Sequence, residues 1–437
     1  MDIKILKEKI KNREIVFCIM GLGYVGLPLA EVLLKKGFKV IGYDISKERV
    51  KMLNSGKSYV EDVNEEIIKN SLKKGIFRAF YDEKILKKAD CIFICVPTPV
   101  NENKVPDLSY VISATEKIKN NRKDGQIIIL KSTTFPETTE KIILKILEDE
   151  NFKEGKNFYL GFVPERVNPG DKIFKIDNTP AVVSGVSKKS LELIKEIYSN
   201  ITNRVFPVSS PKVAEITKLL ENIFRNVNIA LVNELAILCE RMKIDIWEVI
   251  SAASTKPFGF MPFYPGPGVG GHCIPVDPYY LSYKAWEYDT PLEFINLAAR
   301  INESMPYYTS QRILSILNEN DILSKNAKVL IFGVAFKRDV GDIRHSPSLK
   351  VMELLFDKVK KISYIDPYIP EINLKNKKLK SLKFSPETIR KYDISVILTD
   401  HSIFKREIIL NNSKIIFDAR GFFKDVKSSK IYKLGAP

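Results

Sequence analysis

The stretch Gly21-Leu-Gly-Tyr-Val-Gly26 constrains the fold of this chain more than any other. It follows the apolar run Glu14-Ile-Val-Phe-Cys-Ile-Met20 and opens a helical pattern that stops at Gly37. A lone GxGxxG is a weak signal, but strand, glycine turn and helix in this order form the dinucleotide fingerprint. Gly21 makes the tight turn, Gly23 admits a pyrophosphate, and Gly26 lets the helix approach the strand. Tyr24 and Val25 lie inside the same turn. A second strand, Lys39-Val-Ile-Gly-Tyr43, ends at Asp44. A carboxylate there accepts the ribose hydroxyls and repels a 2′-phosphate, so NAD is favoured over NADP. Arg49 nearby would suit a 2′-phosphate, or would stack on adenine instead.

Further apolar runs, Asp90–Val96, Gln126–Leu130 and Phe158–Val163, read as strands of a parallel sheet covered on both faces. Ligands in such sheets sit at the carboxyl ends of strands. That rule makes Pro97, Thr98 and Thr133 candidate cofactor contacts, Thr133 also as the holder of a water. Glu165, Arg166 and Val167 follow the third run, where a Glu and an Arg suit an acid/base group and an anion clamp. A helix then runs without Gly or Pro from Ser210-Pro211 to about Met242, with Ser210 as N-cap. Lys218 and Asn222 are one turn apart, hence on one face. Two more helices are expected at Leu292–Glu303 and Pro306–Asn318. A second strand–turn–helix pattern begins at Asn326–Gly333 and runs on to strands at 361–365, 394–398 and 414–417. It lacks GxGxxG. Lys337, Arg344 and Arg420 lie at its strand ends, where a second phosphate-bearing molecule is expected. The fold class is α/β, with two Rossmann-like doubly wound parallel-sheet domains joined by a long central helix and a helical middle domain. The boundaries read 1–208, 209–318 and 319–437.

Between the halves lies Tyr264-Pro-Gly-Pro-Gly-Val-Gly-Gly-His-Cys-Ile-Pro-Val-Asp-Pro278. Glycines allow close approach to a ligand and prolines stiffen what lies between. Cys273 is a poor core residue in such a loop and a good nucleophile, with Asp277 four residues on. The bland alternative is a surface turn with a stray thiol. Cys18, Cys91, Cys95 and Cys239 fall in apolar or helical patterns and read as buried packing residues. Five scattered cysteines argue against a disulfide framework, and His272-Cys273 lacks the rest of a zinc ligand set, so no metal is expected. The net charge of +16 is spread as short lysine pairs along the chain. It suits phosphate-bearing ligands, and with neither basic–aromatic interleaving nor a known module, no nucleic-acid partner is expected. No apolar run has the length of a membrane span, so no membrane partner is expected and a cytoplasmic location is.

Taken together, seven stretches resemble the UDP-glucose/GDP-mannose dehydrogenase family over nearly the whole chain. They are Gly21-Leu-Gly-Tyr-Val-Gly-Leu-Pro-Leu-Ala, Cys95-Val-Pro-Thr-Pro, Lys131-Ser-Thr, Pro164-Glu-Arg-Val-Asn-Pro-Gly, Ala214-Glu-Ile-Thr-Lys-Leu-Leu-Glu-Asn, Gly268-Val-Gly-Gly-His-Cys and Gly333-Val-Ala-Phe-Lys. The resemblance implies a four-electron oxidation of a sugar C6 alcohol to a carboxylate, using two NAD and a Cys273 thiohemiacetal and thioester. Lys218 and Asn222 would stabilise the oxyanion. Asp277, Lys218 or a water on Thr133 would assist the first oxidation, and Glu165 or Asp277 would activate the hydrolytic water. Glu165, Arg166, Val167, Lys218, Asn222, Arg225, Tyr264, Gly268, Gly270, Phe336, Lys337 and Arg420 would line the sugar-nucleotide site, with Arg344 nearer the cofactor. The loop through His272 and Val276 resembles the UDP-N-acetylglucosamine 6-dehydrogenases of this family. UDP-glucose enzymes usually have lysine where this chain has Val276, and Ala253-Ser-Thr-Lys-Pro257 lacks the His-Pro-Arg signature of the N-acetylmannosamine enzymes. UDP-N-acetylmannosamine and UDP-glucose are the alternatives. A role in polysaccharide or glycan precursor synthesis and a homodimer through the central helix are expected.

Overall fold

The structure is a computed structural model in which residues 3–60, 62–167, 173–272 and 274–437 are described. The chain divides into two compact units, Met1–Glu221 with Tyr279–Thr290, and Asn222–Pro278 with Pro291–Pro437. The stretch 209–318, read from the sequence as one middle domain, is thus shared between them.

In the first unit six strands form one sheet: β1 (Val16–Met20), β2 (Lys39–Tyr43), β3 (Phe77–Phe80), β4 (Cys91–Ile94), β5 (Gln126–Leu130) and β6 (Phe158–Phe162). Their order is β3-β2-β1-β4-β5-β6 and every pairing is parallel. The continuous apolar runs follow from burial on both faces. Phe17 and Ile19 join one hydrophobic cluster while Cys18 and Met20 join another, as the two-residue period of a strand requires. A short parallel pair, β7 (Ala181–Val183) and β8 (Val205–Pro207), follows.

The second unit repeats the plan. Its sheet holds β9 (Lys328–Phe332), β10 (Lys361–Ile365), β13 (Ile394–Ile397), β14 (Ile415–Asp418) and β15 (Ile431–Lys433), in the order β10-β9-β13-β14-β15, all parallel. A hairpin of β11 (Glu371–Leu374) and β12 (Lys377–Lys380), which the sequence reading lacks, lies between β10 and β13 in the chain. The first turns of the two sheets match. Gly21 N–H donates to Tyr43 O and Gly333 N–H to Ile365 O, both at 2.9 Å, and both glycines have positive φ. Leu22 N–H reaches Asp44 and Val334 N–H reaches Asp366 in the same way. In the second unit, however, Ala335 stands where the first has Gly23, and buried His401 places Nε2 3.1 Å from Asp366 Oδ2. Asp366 is therefore held by the protein itself, and the turn carries a side chain where a pyrophosphate needs none.

The long helix runs from Pro211 to Arg241, as its uninterrupted pattern requires. The two helices expected around Pro306 are instead one, Glu293–Glu319, with Pro306 inside it. Proline supplies no N–H to the Asn302 carbonyl, which ordinarily kinks or ends a helix. Here Asn302, Met305 and Pro306 are all buried, and packing outweighs the missing bond.

Gly333 has φ +78°, and a Cβ on it would lie 2.3 Å from the Thr399 carbonyl oxygen. Gly333→Ala should therefore destabilise the second unit by about 1–3 kcal/mol. Denaturant unfolding reads this directly, and an unchanged midpoint would show the turn to be relaxed.

Candidate active site

The first unit carries the dinucleotide cradle. Gly21, at φ +90°, would place a Cβ 2.6 Å from Cys95 O, and Gly26 one 2.0 Å from Gly21 O. Both contacts exclude side chains where strand and helix meet. A Cβ on Gly23 would meet nothing within 4 Å, so space is open there for a diphosphate. The helix Gly26–Lys35 has no side-chain cap at Val25, which leaves its first N–H groups for an anion. Asp44, buried at the end of β2, accepts Leu22 N–H and Ser46 N–H at 2.9 Å each. Each oxygen retains a lone pair for a ribose hydroxyl. Arg49 Nη1 lies 3.6 Å from Asp44 Oδ2, and its guanidinium covers the Tyr59 ring. Tyr24 is half exposed and Val25 partly buried. These residues fit NAD. Pro97 is exposed after β4, and Thr98, buried, accepts the Tyr280 hydroxyl on its carbonyl at 2.8 Å.

Past β5 and β6 the same unit gathers charge. Thr133 is partly buried. Lys131, only 3% exposed, places Nζ 3.1 Å from Glu165 Oε2 and 3.4 Å from the Tyr198 hydroxyl. Glu165 Oε1 accepts the Arg166 and Val167 N–H groups at 2.9 and 2.8 Å. Burial pushes the Glu165 carboxyl up, but the Lys131 ammonium, these hydrogen bonds and Lys218 outweigh it, and the group sits below the ordinary glutamate value. Lys131, Glu165, Arg166, Thr179 and Tyr198 line a small cleft. Arg166 is engaged by Pro180 O at 2.7 Å and by Glu221 at 2.7 Å. Lys218, largely buried, makes no hydrogen bond or ion pair among the described residues, so its three N–H donors are unspent.

The second unit carries the loop. Cys273 itself lies outside the described residues; Gly271, His272 and Ile274 beside it are within them. A Cβ on Gly270 would fall 2.7 Å from Phe336 Cβ and 2.9 Å from His345 O, and Gly271 N–H donates to Arg344 O at 3.0 Å. Gly266 lies against the Arg420 guanidinium, Nη1 being 3.0 Å from where its Cβ would stand. Gly268, at φ +130°, packs on Pro347, Pro306 and the Asn302 carbonyl. Asn222 Nδ2 donates to Asp277 Oδ2, and both are buried. Tyr264, half exposed, stacks on Trp247 at 6.0 Å and 12°. Phe336, Arg344, Arg420, Asn222 and Asp277 are therefore brought to one loop. Arg344 is also spent on Asp342, at 2.6 Å, and Lys337 is partly buried. Arg225 is exposed. Burial pushes the thiols of Cys18, Cys91 and Cys95 up, the last to about 12, so none of the three is a ready nucleophile.

One α/β unit with an open dinucleotide cradle, and a second whose matching turn is closed to a dinucleotide, define an NAD-dependent oxidoreductase of double Rossmann build. Sequence models of the UDP-glucose/GDP-mannose dehydrogenase family match the chain over residues 15–202 (NAD binding domain), 212–304 (central domain) and 330–425 (UDP binding domain), and the chain belongs to that family. Its activity is thus the NAD-dependent oxidation of a UDP-sugar. A UDP-N-acetyl-D-mannosamine dehydrogenase of Methanococcus aeolicus is 38% identical over 91% of this chain and 87% of its own. A UDP-N-acetyl-D-glucosamine 6-dehydrogenase of Salmonella typhi is 36% identical over 94% of each. The solved UDP-D-ManNAc dehydrogenase of Pyrococcus horikoshii superposes with TM-score 0.88 at 32% identity, covering 96% of this chain and 99% of its own.

Sequence reasoning passed over Lys131, Tyr198 and Tyr280 as members of the site. Lys131 was readable as a cation ending a fully apolar strand, a position that asks for a buried anion as partner. Tyr198 and Tyr280 left no signal, because only the fold brings them to Lys131 and Thr98.

Glu165 is held low, so its ion pair stabilises the fold above the ordinary glutamate range and is lost as pH falls through the lowered value. Lys131→Met leaves Glu165 buried without its cation, at a cost of about 3–5 kcal/mol near neutrality. The stability gap between wild type and variant should narrow as pH falls, when Glu165 is protonated in both. Denaturation midpoints at neutral and acid pH measure the gap, and one that does not change with pH would contradict the pairing.

Proposed function

We propose that the chain oxidises the C6 alcohol of a UDP-N-acetylhexosamine to the carboxylate in two steps, with Cys273 as covalent nucleophile. The observation that carries this reading is Asn222 bound to buried Asp277 at the end of the cysteine loop, one helical turn along from Lys218, whose donors find no partner among the described residues. NAD, when bound, takes up the electron pair of each oxidation. In the first, a base removes the hydroxyl proton, with Asp277, Lys218 or a water held by Thr133 assisting. The Cys273 thiolate then adds to the aldehyde carbon, and the Lys218 ammonium and Asn222 amide receive the oxyanion of the thiohemiacetal. After the second oxidation the thioester is hydrolysed. Glu165, kept ionised by Lys131, or Asp277 activates the water.

The loop through His272 and Val276 supports UDP-N-acetylglucosamine as substrate, with Arg166, Val167, Arg225, Tyr264, Phe336, Lys337 and Arg420 as sugar-nucleotide contacts. A second reading, UDP-N-acetylmannosamine, is favoured by the names of relatives such as those of Methanococcus aeolicus and Pyrococcus horikoshii. We place the product in glycan precursor synthesis in the cytoplasm. No helix among the described residues is long and apolar enough to cross a membrane. The long helix exposes Ile216, Leu220, Phe224, Leu231, Leu235 and Leu238, spaced three, four or seven apart. That stripe supports a homodimer through this helix.

A panel of UDP-N-acetylglucosamine, UDP-N-acetylmannosamine and UDP-glucose, with NADH followed by absorbance, tests the reading. Two NADH are expected per UDP-N-acetylglucosamine consumed, with much slower turnover of UDP-glucose. One NADH per sugar, or none with any UDP-hexose, would overturn it.

A further inference from the structure

Asn226 and Asn233 share the face of the long helix that carries Asn222, one and three turns further on, and both are buried, with Asn302 of the helix Glu293–Glu319 between them. Asn226 Nδ2 donates to the carbonyl of Ile274, the residue next to Cys273, at 3.2 Å. Asn233 Oδ1 accepts the N–H of Gly266, at the other end of the loop, at 3.0 Å. Asn302 joins the two: its Oδ1 accepts Asn233 Nδ2 at 2.9 Å and its Nδ2 donates to Asn226 O at 2.9 Å. The backbone of the cysteine loop is thus tied to one helix on both sides of residue 273, by amides that are themselves cross-linked. A buried amide network of this kind holds its members in one arrangement, because every alternative leaves a donor or acceptor unpaired. Asn226 Oδ1 is the exception and has no partner among the described residues.

We infer that Asn226, Asn233 and Asn302 are positioning residues that fix where the thiol of Cys273 stands, a deeper statement of the proposed function that rests on Cys273 being the nucleophile. The hydrogen bonds of the network end on Ile274, Gly266 and the two helices, so its loss moves the thiol and leaves the residues of the dinucleotide cradle unchanged. A nucleophile displaced by about 1 Å loses up to about a hundredfold in rate. Two reactions of Asn226→Ala and Asn233→Ala are compared with wild type: NADH production at saturating UDP-sugar, and carboxamidomethylation of Cys273 by iodoacetamide as a function of pH, read by peptide mass. The expected result is a fall in kcat of about tenfold or more, KM for NAD within about twofold of wild type, and a displaced pH profile of alkylation. A lowered melting temperature with kcat and alkylation profile unchanged would overturn the inference and leave the amides a purely structural role. If an alanine variant does not fold, Asn226→Leu keeps the volume and removes only the donor to Ile274, and the same outcomes apply. Cys273→Ser, run alongside, separates the two levels. If it still yields carboxylate at the wild-type rate, the nucleophile reading fails. If it is inactive while the asparagine variants behave as wild type, only the positioning role fails.

Discussion

A stripe of polar side chains on the buried face of one helix is the constraint on which the rest of this structure depends. Glu215, Lys218, Asn222, Asn226 and Asn233 fall at intervals of three, four or seven on Pro211–Arg241, and all are buried. A helix satisfies its own backbone, so each of these side chains must find a partner elsewhere or cost about 1–3 kcal/mol. Glu215 takes the N–H of Thr139 at 3.0 Å and the N–H of Glu137 at 2.6 Å, and burial still pushes its carboxyl up to about 7. Asn222, Asn226 and Asn233 take the cysteine loop and Asp277. Lys218 makes no side-chain hydrogen bond or ion pair among the described residues. The helix is thereby both scaffold and, in the proposed reaction, part of the chemistry.

The two units show how one plan yields two binding functions. Both begin with a strand, a positive-φ glycine and an acid at the end of the next strand. In the first the acid keeps lone pairs for a ligand and Gly23 leaves space in front of the turn. In the second His401 and four backbone N–H groups, those of Val334, Ala335, Tyr368 and Ile369, fill the coordination of Asp366. The acid becomes a structural post, and the unit matched as the UDP binding domain presents its loops instead.

Much of this was legible before any coordinates. Continuous apolar runs gave β1, β2, β4, β5 and β6 because a parallel sheet is buried on both faces and needs no alternation. The long helix was legible because nothing interrupts it. The helix through Pro306 was not, since a local rule about proline says nothing of the Asn302 packing that overrides it. At the site, Asn222 and Asp277 were read as separate candidates, and the structure joins them by a hydrogen bond. Asn226 and Asn233 share its spacing, but their partners are backbone atoms of Ile274 and Gly266, groups that every residue possesses and no sequence marks.

The account turns on a covalent bond at one sulfur. Enzyme mixed with NAD and UDP-N-acetylglucosamine, quenched in acid within one turnover and digested, should yield the Cys273 peptide heavier by the uronyl group of the UDP-sugar, joined as a thioester. A Cys273 peptide of unmodified mass throughout the time course, with carboxylate accumulating meanwhile, would contradict it.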